Sequence, residues 1–247
     1  PFLASSGNTL VVIIGQNFGP ALSFYPSMNK NSVRASYCPE GNSCTGACGY
    51  VTSTCSVASH EVMWCFSVEA ARGCNRQNLT WRVTVEAQEG PSSKAKLHFK
   101  APLIEKVTSV ALATELDTAG GDRVTFVGTD FGPLNESLLS LTYSSATIDG
   151  LPSPSVYQGT ECNVTKANKE VSCFTAPGTG SQLKWTVTVV DQASNIISTN
   201  ISYKPPKIHT LFIVGGVKNG TSWIIPTNGS KAVFNITGSS FGPPSDT

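Results

Sequence analysis

Residues Arg123–Pro133 read RVTFVGTDFGP, a β-prone run that ends in Gly-x-x-Phe-Gly-Pro. The same pattern occurs twice more, in LVVIIGQNFGP at Leu10–Pro20 and in AVFNITGSSFGP at Ala232–Pro243. The first glycines of successive copies are 113 and 110 residues apart. A fixed spacing of this kind is typical of a folding unit that repeats along the chain.

Three further landmarks recur in the same order. The run LTWRVTV at Leu79–Val85 returns as LKWTVTV at Leu183–Val189, and KAPLI at 100–104 returns as KPPKI at 204–208. A cysteine pair recurs as well: Cys55 with Cys65, then Cys162 with Cys173, and a phenylalanine follows the second cysteine both times.

The landmarks divide the chain into residues 1–101, 102–205 and 206–247, which we call unit one, unit two and unit three. Unit two is complete. Unit one has a shorter lead-in before its first motif glycine, so we expect it to lack its first strand, and it carries a Cys-rich insertion at 37–55. Unit three holds only the opening portion of the pattern. We expect the chain to be a window of a longer array.

The periodicity of the units is that of β-strands. Trp81, Val83 and Val85 alternate with polar or charged neighbours, as in a half-buried strand. Clusters of Pro, Gly, Asn and Ser separate such runs, and no convincing amphipathic helix interrupts them. The chain is therefore predicted to be all-β, with tandem β-sandwiches of about 100 residues each.

The Gly-x-x-Phe-Gly-Pro motif has a structural interpretation. We expect its first glycine to adopt a backbone geometry closed to residues with a β-carbon, its phenylalanine to plug the end of the core, and its second glycine to fix the exit of the chain. A phosphate cradle would need a following helix and a basic residue, and neither is present. The motif residues are Gly15, Phe18, Gly19, Gly128, Phe131, Gly132, Gly238, Phe241 and Gly242.

These motifs resemble the IPT/TIG domain, the immunoglobulin-like fold of plexins, related receptors and some transcription factors. The Pro-x-Ile seam, the run into Gly-x-x-Phe-Gly and the later Cys-Phe before a strand carry the resemblance over essentially the whole chain. The resemblance implies the fold. It does not choose among receptor, filament, adhesin, enzyme-accessory and DNA-binding roles.

Eight cysteines predict a disulfide framework in an oxidising compartment. The rival, a zinc site, lacks Cys-x-x-Cys pairs and suitably spaced histidines. We expect Cys55–Cys65 and Cys162–Cys173 to link neighbouring strands. Cys38, Cys44, Cys48 and Cys74 then form a second framework within unit one, and the sequence leaves its three possible pairings open.

Seven Asn-x-Ser/Thr sequons point to a secreted eukaryotic glycoprotein, extracellular or on the cell surface, that carries N-linked glycans and no other cofactor. None lies before Asn78, so most of unit one is predicted to present a glycan-free face. The acceptor residues are Asn78, Asn135, Asn163, Asn200, Asn219, Asn228 and Asn235.

Charge and motifs exclude several function classes. A net charge of +1 with 13% charged residues argues against a nucleic-acid partner, and no run of apolar residues is long enough to span a membrane. His60, His98 and His209 are isolated, and no catalytic or metal-binding motif accompanies them. We expect no catalytic residue and no metal site.

Two functions remain. The first is a structural subunit of an extracellular glycosylated filament or cell-surface appendage, whose partners are copies of itself or neighbouring IPT domains. In it, the polypeptide either continues, which we rank first, or completes the next copy by strand exchange. The second is the ectodomain of a plexin-like receptor or adhesion protein that binds a protein ligand through unit one.

Overall fold

The computed structural model describes residues 2–21, 33–41, 44, 46, 48–52, 55–109, 114–146, 155–224 and 233–243. These residues form strands and turns and contain no helix, which confirms the all-β prediction. Unit one contains β1 Phe2–Leu3, β2 Leu10–Ile14, β3 Val33–Pro39, β4 Tyr50–Thr52, β5 Cys55–Ser59, β6 Val62–Phe66, β7 Leu79–Val85, β8 Gln88–Glu89 and β9 His98–Phe99.

Units two and three also consist of short strands. Unit two contains β10 Leu103–Ser109, β11 Glu115–Leu116, β12 Arg123–Thr129, β13 Leu139–Ser144, β14 Val156–Gln158, β15 Thr160–Lys166, β16 Glu170–Phe174, β17 Lys184–Val189, β18 Gln192–Ala193, β19 Ile197–Ser198 and β20 Ser202–Tyr203. Unit three contains β21 Lys207–Val214, β22 Val217–Asn219, β23 Ser222–Ile224 and β24 Val233–Ser239.

Unit two consists of two antiparallel sheets around one apolar core. The first has the strand order β10-β12-β16-β15 and the second has β14-β13-β17-β18, with β19 also on β17. The ring of Trp185, which is fully buried, stacks on Tyr143 at 4.6 Å and meets the edge of Phe126 at 5.7 Å. Alternating apolar residues from both sheets thus fill the layer between them, as in a β-sandwich.

Unit one repeats this arrangement with one strand fewer in each sheet. Its sheets are β2-β6-β5 and β4-β3-β7-β8, and Trp81 stacks on Tyr37 at 4.3 Å as Trp185 does on Tyr143. The short parallel pair of β1 with β9 matches that of β11 with β20. No described strand of unit one takes the place that β10 holds beside β12.

A tyrosine hydroxyl fixes the same loop in both units. In unit one the Tyr37 hydroxyl accepts the Val68 N–H at 3.0 Å and donates to the Val68 carbonyl at 3.1 Å. In unit two the Tyr143 hydroxyl accepts the Ala176 N–H at 2.9 Å. Burial raises the pKa of both tyrosines, so the hydroxyls stay protonated donors.

The glycine motif differs in one respect from its prediction. Gly15, Gly128 and Gly238 do not lie in the left-handed region, so the expectation of a special backbone geometry there is wrong. The positive φ values belong to the second glycines of the motif, at 90° for Gly19 and 88° for Gly132, and at 91° for the equivalent Gly242.

The first glycine is needed because a neighbouring strand approaches it closely. A β-carbon at Gly128 would overlap the carbonyl oxygen of Leu103 on β10, and one at Gly238 would overlap that of Lys207 on β21. At Gly15 the atoms that a β-carbon would meet belong only to the ring of Phe18. Unit one therefore keeps the glycine although no described strand lies against it.

The burial of each motif phenylalanine depends on how complete its unit is. Phe18 is 8% exposed and Phe131 is fully buried, so both close the end of a core as expected. Phe241 is 53% exposed, because the described part of unit three is two separate strand pairs, β21 with β24 and β22 with β23. The Phe212 ring of β21 meets the Trp223 ring of β23 edge to face at 5.3 Å, but no other described sheet of unit three covers the two pairs.

The close approach at Gly128 generates the first prediction. We expect Gly128→Ala to destabilise unit two by about 3 kcal/mol, because the added methyl group collides with backbone and the strand pair must separate. Gly121→Ala is the control: Gly121, unlike Gly128, has a positive φ, of 83°, and a β-carbon there would face open space. Its cost should be about 1 kcal/mol.

Chemical denaturation of both variants measures the difference. A loss for Gly128→Ala no larger than that for Gly121→Ala would show that the approach of β10 is not what makes a glycine necessary at position 128.

Candidate functional site

The polar residues considered for catalysis serve local structure. His60 lies in the turn between β5 and β6, and the ring nitrogen Nδ1 of His98 accepts the Asn78 N–H at 3.1 Å. Asp117 and Asp122 bind backbone N–H groups of their own turn. Within the described part of the chain, no group of three His, Cys, Asp or Glu side chains could hold a metal ion.

All eight cysteines are paired in four disulfides. Cys55–Cys65 joins β5 to β6 and Cys162–Cys173 joins β15 to β16, across neighbouring strands in each case. The pairing that the sequence left open is Cys38–Cys44 and Cys48–Cys74.

Six of the seven sequon asparagines lie in the described residues, and all six are exposed. Asn228 lies outside the described residues. The chain also contains no described helix long and apolar enough to cross a membrane. The described acceptor residues are Asn78, Asn135, Asn163, Asn200, Asn219 and Asn235.

A buried ion pair joins unit one to unit two. The Nη2 of Arg76 lies 3.1 Å from Oε2 of Glu136, and neither side chain has any exposed surface. Burial lowers the pKa of Arg76, and the charge of Glu136 opposes this effect. The other carboxylate oxygen of Glu136 accepts the Gly73 N–H at 2.7 Å. The two charges thus neutralise each other, and both Nη atoms of Arg76 donate hydrogen bonds, whereas its Nε has no partner among the described residues.

Other polar contacts surround this pair. The Ser5 N–H donates to Oδ1 of Asp130 at 2.8 Å, and the Arg76 N–H donates to Oδ1 of Asp191 at 3.3 Å. The side-chain amide of Gln192 donates to the Phe99 carbonyl at 2.8 Å. We call this set of contacts, from Ser5, Arg76 and Phe99 to Asp130, Glu136 and Gln192, the first seam.

The loop that carries Arg76 is specific to unit one. The span from the second disulfide cysteine to the next strand is 14 residues between Cys65 and Leu79 but 10 between Cys173 and Leu183. Cys74 lies in the longer loop and is bonded to Cys48 of the Cys-rich insertion. The disulfide therefore ties the loop, two residues from Arg76, to the body of unit one.

The outer face of the sheet β2-β6-β5 is apolar. Leu10 pairs with Phe66 and Val12 with Trp64, and their side chains point away from the core. Exposed fractions are 54% for Leu10, 58% for Val12 and 80% for Ile14. Trp64 and Phe66 lie edge to face at 6.0 Å and are each more than one-third exposed. We call these five residues the unit-one face.

The equivalent face of unit two is polar at three of the five positions, and Val127 and Phe174 are its apolar residues. Arg123 and Thr125 on β12 replace Leu10 and Val12, and Ser172 on β16 replaces Trp64. The guanidinium of Arg123 covers the ring of Phe174 at 5.1 Å. Asn163, a sequon residue, pairs with Ser172 on this face. Its counterpart in unit one, Ser56, is not a glycan acceptor.

The unit-one face continues into an open strand edge. β2 pairs with β6 on one side, and no described strand pairs with its other side. A groove of about 330 Å³ lies along that edge, lined by β2 together with Phe2, Leu3, Trp81 and Leu97. In unit two the corresponding space is filled by β10, whose Ile104 is 2% exposed.

Sequence reasoning placed the candidate contact surface in unit one but identified neither the unit-one face nor the first seam. The unit-one face had a signal, because LVVII is apolar at every position whereas RVTFV alternates. The first seam had none, since Arg76 and Glu136 lie 60 residues apart in regions without a motif.

No family model and no curated protein matches the chain. Among solved structures, one match is a crystal structure with a xylogluco-oligosaccharide, at 13% identity and a TM-score of 0.35. The alignment covers 83% of this chain and 40% of the other.

The first seam generates the second prediction. We expect Glu136→Ala to cost about 3–5 kcal/mol, because it leaves the Arg76 charge buried without a partner. Because the two units would no longer be coupled, we expect them to unfold in two separate transitions instead of one. Denaturant unfolding followed by tryptophan fluorescence measures it.

Glu170→Ala is the matched control for this prediction. Glu170 pairs with Lys166 at 2.6 Å, but the lysine is largely exposed, so its loss should cost less than about 1 kcal/mol. A single unsplit transition in Glu136→Ala would contradict the assigned role of the seam.

Proposed function

We propose that the chain is a non-catalytic structural subunit of an extracellular glycosylated filament or cell-surface appendage, built from tandem domains of the IPT/TIG type. The observation that carries the proposal is the first seam. A buried ion pair and hydrogen bonds on both sides of it hold two sandwiches in one orientation. An array of sandwiches joined in this way is stiff, which a filament needs.

The disulfides and sequons support the location. Four disulfides in a chain of this size are typical of secreted proteins. Exposed acceptor residues on units two and three would carry glycans that keep a surface with few charges in solution. No metal or cofactor enters the proposed role.

A plexin-like receptor or adhesion protein is the second candidate. The observation that favours it is the unit-one face, an aromatic and aliphatic surface without a sequon. Exposed apolar patches of this kind mark protein interaction sites. A filament subunit would use the same face to bind another copy.

Glycan mapping gives the third prediction. In protein secreted from eukaryotic cells, we expect glycopeptides at Asn163 and at other exposed sequons, and none from β2, β5 or β6. Mass spectrometry after enzymatic deglycosylation in heavy-oxygen water marks each occupied asparagine. Unoccupied sequons throughout the secreted protein would contradict the proposed location.

Electron microscopy of the secreted protein, kept free of denaturant, tests the function itself and gives the fourth prediction. We expect fibres with a regular repeat of one or a few sandwich lengths. Glu136→Ala should give fibres that bend more, because it loosens the first seam, and Glu170→Ala should not. Dispersed single rods at every concentration would favour the receptor instead.

A further inference from the structure

We propose that two copies of the chain bind each other through their unit-one faces, which stack across a twofold axis. In each copy the contact covers Leu10, Val12 and Ile14 of β2 and Trp64 and Phe66 of β6. This inference deepens the proposed function, because it names the surface at which two subunits meet. Its test needs no fibre, so either proposal can fail without the other.

A strand beside β2 would leave the unit-one face uncovered. In unit two, β10 pairs with the edge of β12, yet Val127, which points outward at the position of Ile14, is still 36% exposed. A strand at this place lengthens the sheet and does not cover its outer side. The first seam uses Asp130, Glu136 and Gln192 of unit two, none of which is an outward residue of β12 or β16. A unit joined to unit one in the same way would also leave the face open.

The unit-one face carries no charge. Its outward residues on β2 and β6, which are all apolar, are Leu10, Val12, Ile14, Val62, Trp64 and Phe66. Near a twofold axis each residue lies close to its own copy, so a charged residue there would repel itself. The same face of unit two has Arg123 in place of Leu10 and Glu170 in place of Val62. Unit one therefore has the face that is suited to contact with itself.

The glycan acceptors point to the same unit. On β24 of unit three, Asn235 lies three residues before the motif glycine, which is the position of Val12 on β2. In unit two, Asn163 on β15 pairs with Ser172, which takes the place of Trp64. Glycans on these two asparagines would stand on the outer side of the sheet and hold another protein away. The equivalent sheet of unit one has no acceptor.

The other sheets of units one and two offer no matching surface. The outward residues of β3 and β7 include Arg34 and Arg82. The outward residues of β13 and β17 are Ser140, Thr142, Lys184, Thr186 and Thr188. Burial of such polar groups against leucine, valine and phenylalanine would cost free energy, because they would lose water without gaining partners. Among the described sheet faces of these two units, the partner that fits the unit-one face is the same face of a second copy.

The contact is large enough for a reversible pair. Five large apolar side chains of each copy, each more than one-third exposed, would bury about 1,000 Å² in total, near the lower limit of specific interfaces. The edge-to-face rings of Trp64 and Phe66 supply an aromatic centre. We expect a pair that dissociates on dilution. A twofold contact is closed, so it would join two arrays side by side and lengthen neither.

Sedimentation equilibrium of the purified chain tests the contact. We expect the average mass to rise with concentration from that of one chain to that of two. A mass that stays at one chain over the whole concentration range would overturn the proposal and leave the unit-one face to a different protein.

A charge swap at Val12 tests whether the face meets its own copy. Val12 lies in the middle row of the face, opposite Trp64. Val12→Lys and Val12→Glu should each raise the dissociation constant of the pair at least tenfold, because like charges meet across the axis. An equal mixture of the two variants should recover pairs, since opposite charges then meet. A mixture that remains at the mass of one chain would overturn the twofold arrangement.

The matched controls are Thr125→Lys and Thr125→Glu, which make the same changes at the equivalent position of unit two. Both should pair as the parental chain does. Circular dichroism and the melting temperature should be unchanged in every variant, which shows that the sandwich is intact. Pairing of Val12→Lys at the parental level, or its loss in both controls, would contradict the assignment to unit one.

Unit three suggests a second test that adds no charge. Residues 235–237 form a sequon on β24, and residues 12–14 are their counterparts on β2. Val12→Asn combined with Ile14→Thr copies this sequon onto the unit-one face. In protein secreted from eukaryotic cells, chains that carry a glycan at position 12 should stay single, because the glycan holds the two faces apart. Mass spectrometry identifies these chains, and pairs formed by them would overturn the proposal.

The control for the added glycan is Thr125→Asn combined with Val127→Thr, which places the same sequon on the sheet of unit two. Glycosylated chains of this variant should pair as the parental chain does. Loss of pairing here would show that a glycan on either unit prevents association, and the unit-one face would then have no special role.

Electron microscopy of the same variants separates this inference from the filament. Pairs in solution without any fibres would retain the contact and remove the filament. Fibres of unchanged width from Val12→Lys chains would retain the filament and remove the contact between neighbouring arrays.

Discussion

The carbonyl oxygen of Leu103 lies only 1.9 Å from the position that a β-carbon of residue 128 would take. The first sheet of unit two depends on this close approach of β10 to Gly128. It brings β10 close enough to bond to β12 along its length and to bury Ile104 beneath the sheet. Since β12 carries Val124 and Phe126, the same pairing closes the core over these residues. A strand pair of this kind is stable only when a second layer covers it. In the described part of unit three, β21 and β24 form a two-stranded sheet whose residues are mostly exposed.

Rigid units make a rigid array only if the connections between them are also fixed. The first seam achieves this with charges, at a position where unit one has a longer loop tied down by Cys48–Cys74. The contact between unit two and unit three is built differently: Thr179 lies against Gly242, and Gly180 and Ser240 occupy the repeat positions of Arg76 and Asp130. A buried ion pair adds little net stability over apolar packing, but its geometry permits few alternatives. We therefore interpret the ion pair as a device that fixes the orientation of the two units.

The repeat made the strands, the all-β fold and the core tryptophans predictable, because alternation and spacing depend on local sequence. Trp81 and Trp185 are buried as their shared repeat position indicated. The role of Gly128 was not predictable in the same way. A glycine is required either because its φ is positive or because a neighbouring strand leaves no room for a β-carbon. The two cases look identical in sequence, and only the position of β10 shows that Gly128 is the second case. The pairing of Arg76 with Glu136 depends on two loops from different units, and no periodicity connects such loops.

Comparison of units one and two distinguishes the residues that the fold requires from the surface residues that differ between the units. The inward residues of β2 and β12 are apolar in both units, since each sandwich needs a core. The outward residues have no such requirement, and there Arg123 and Thr125 correspond to Leu10 and Val12. A solvent-exposed sheet face does not require leucine and valine, and with them it becomes prone to association. The apolar unit-one face and Ser56, which lies outside any sequon, belong to one sheet. A sheet face that is apolar and has no sequon is suited to contact with another protein.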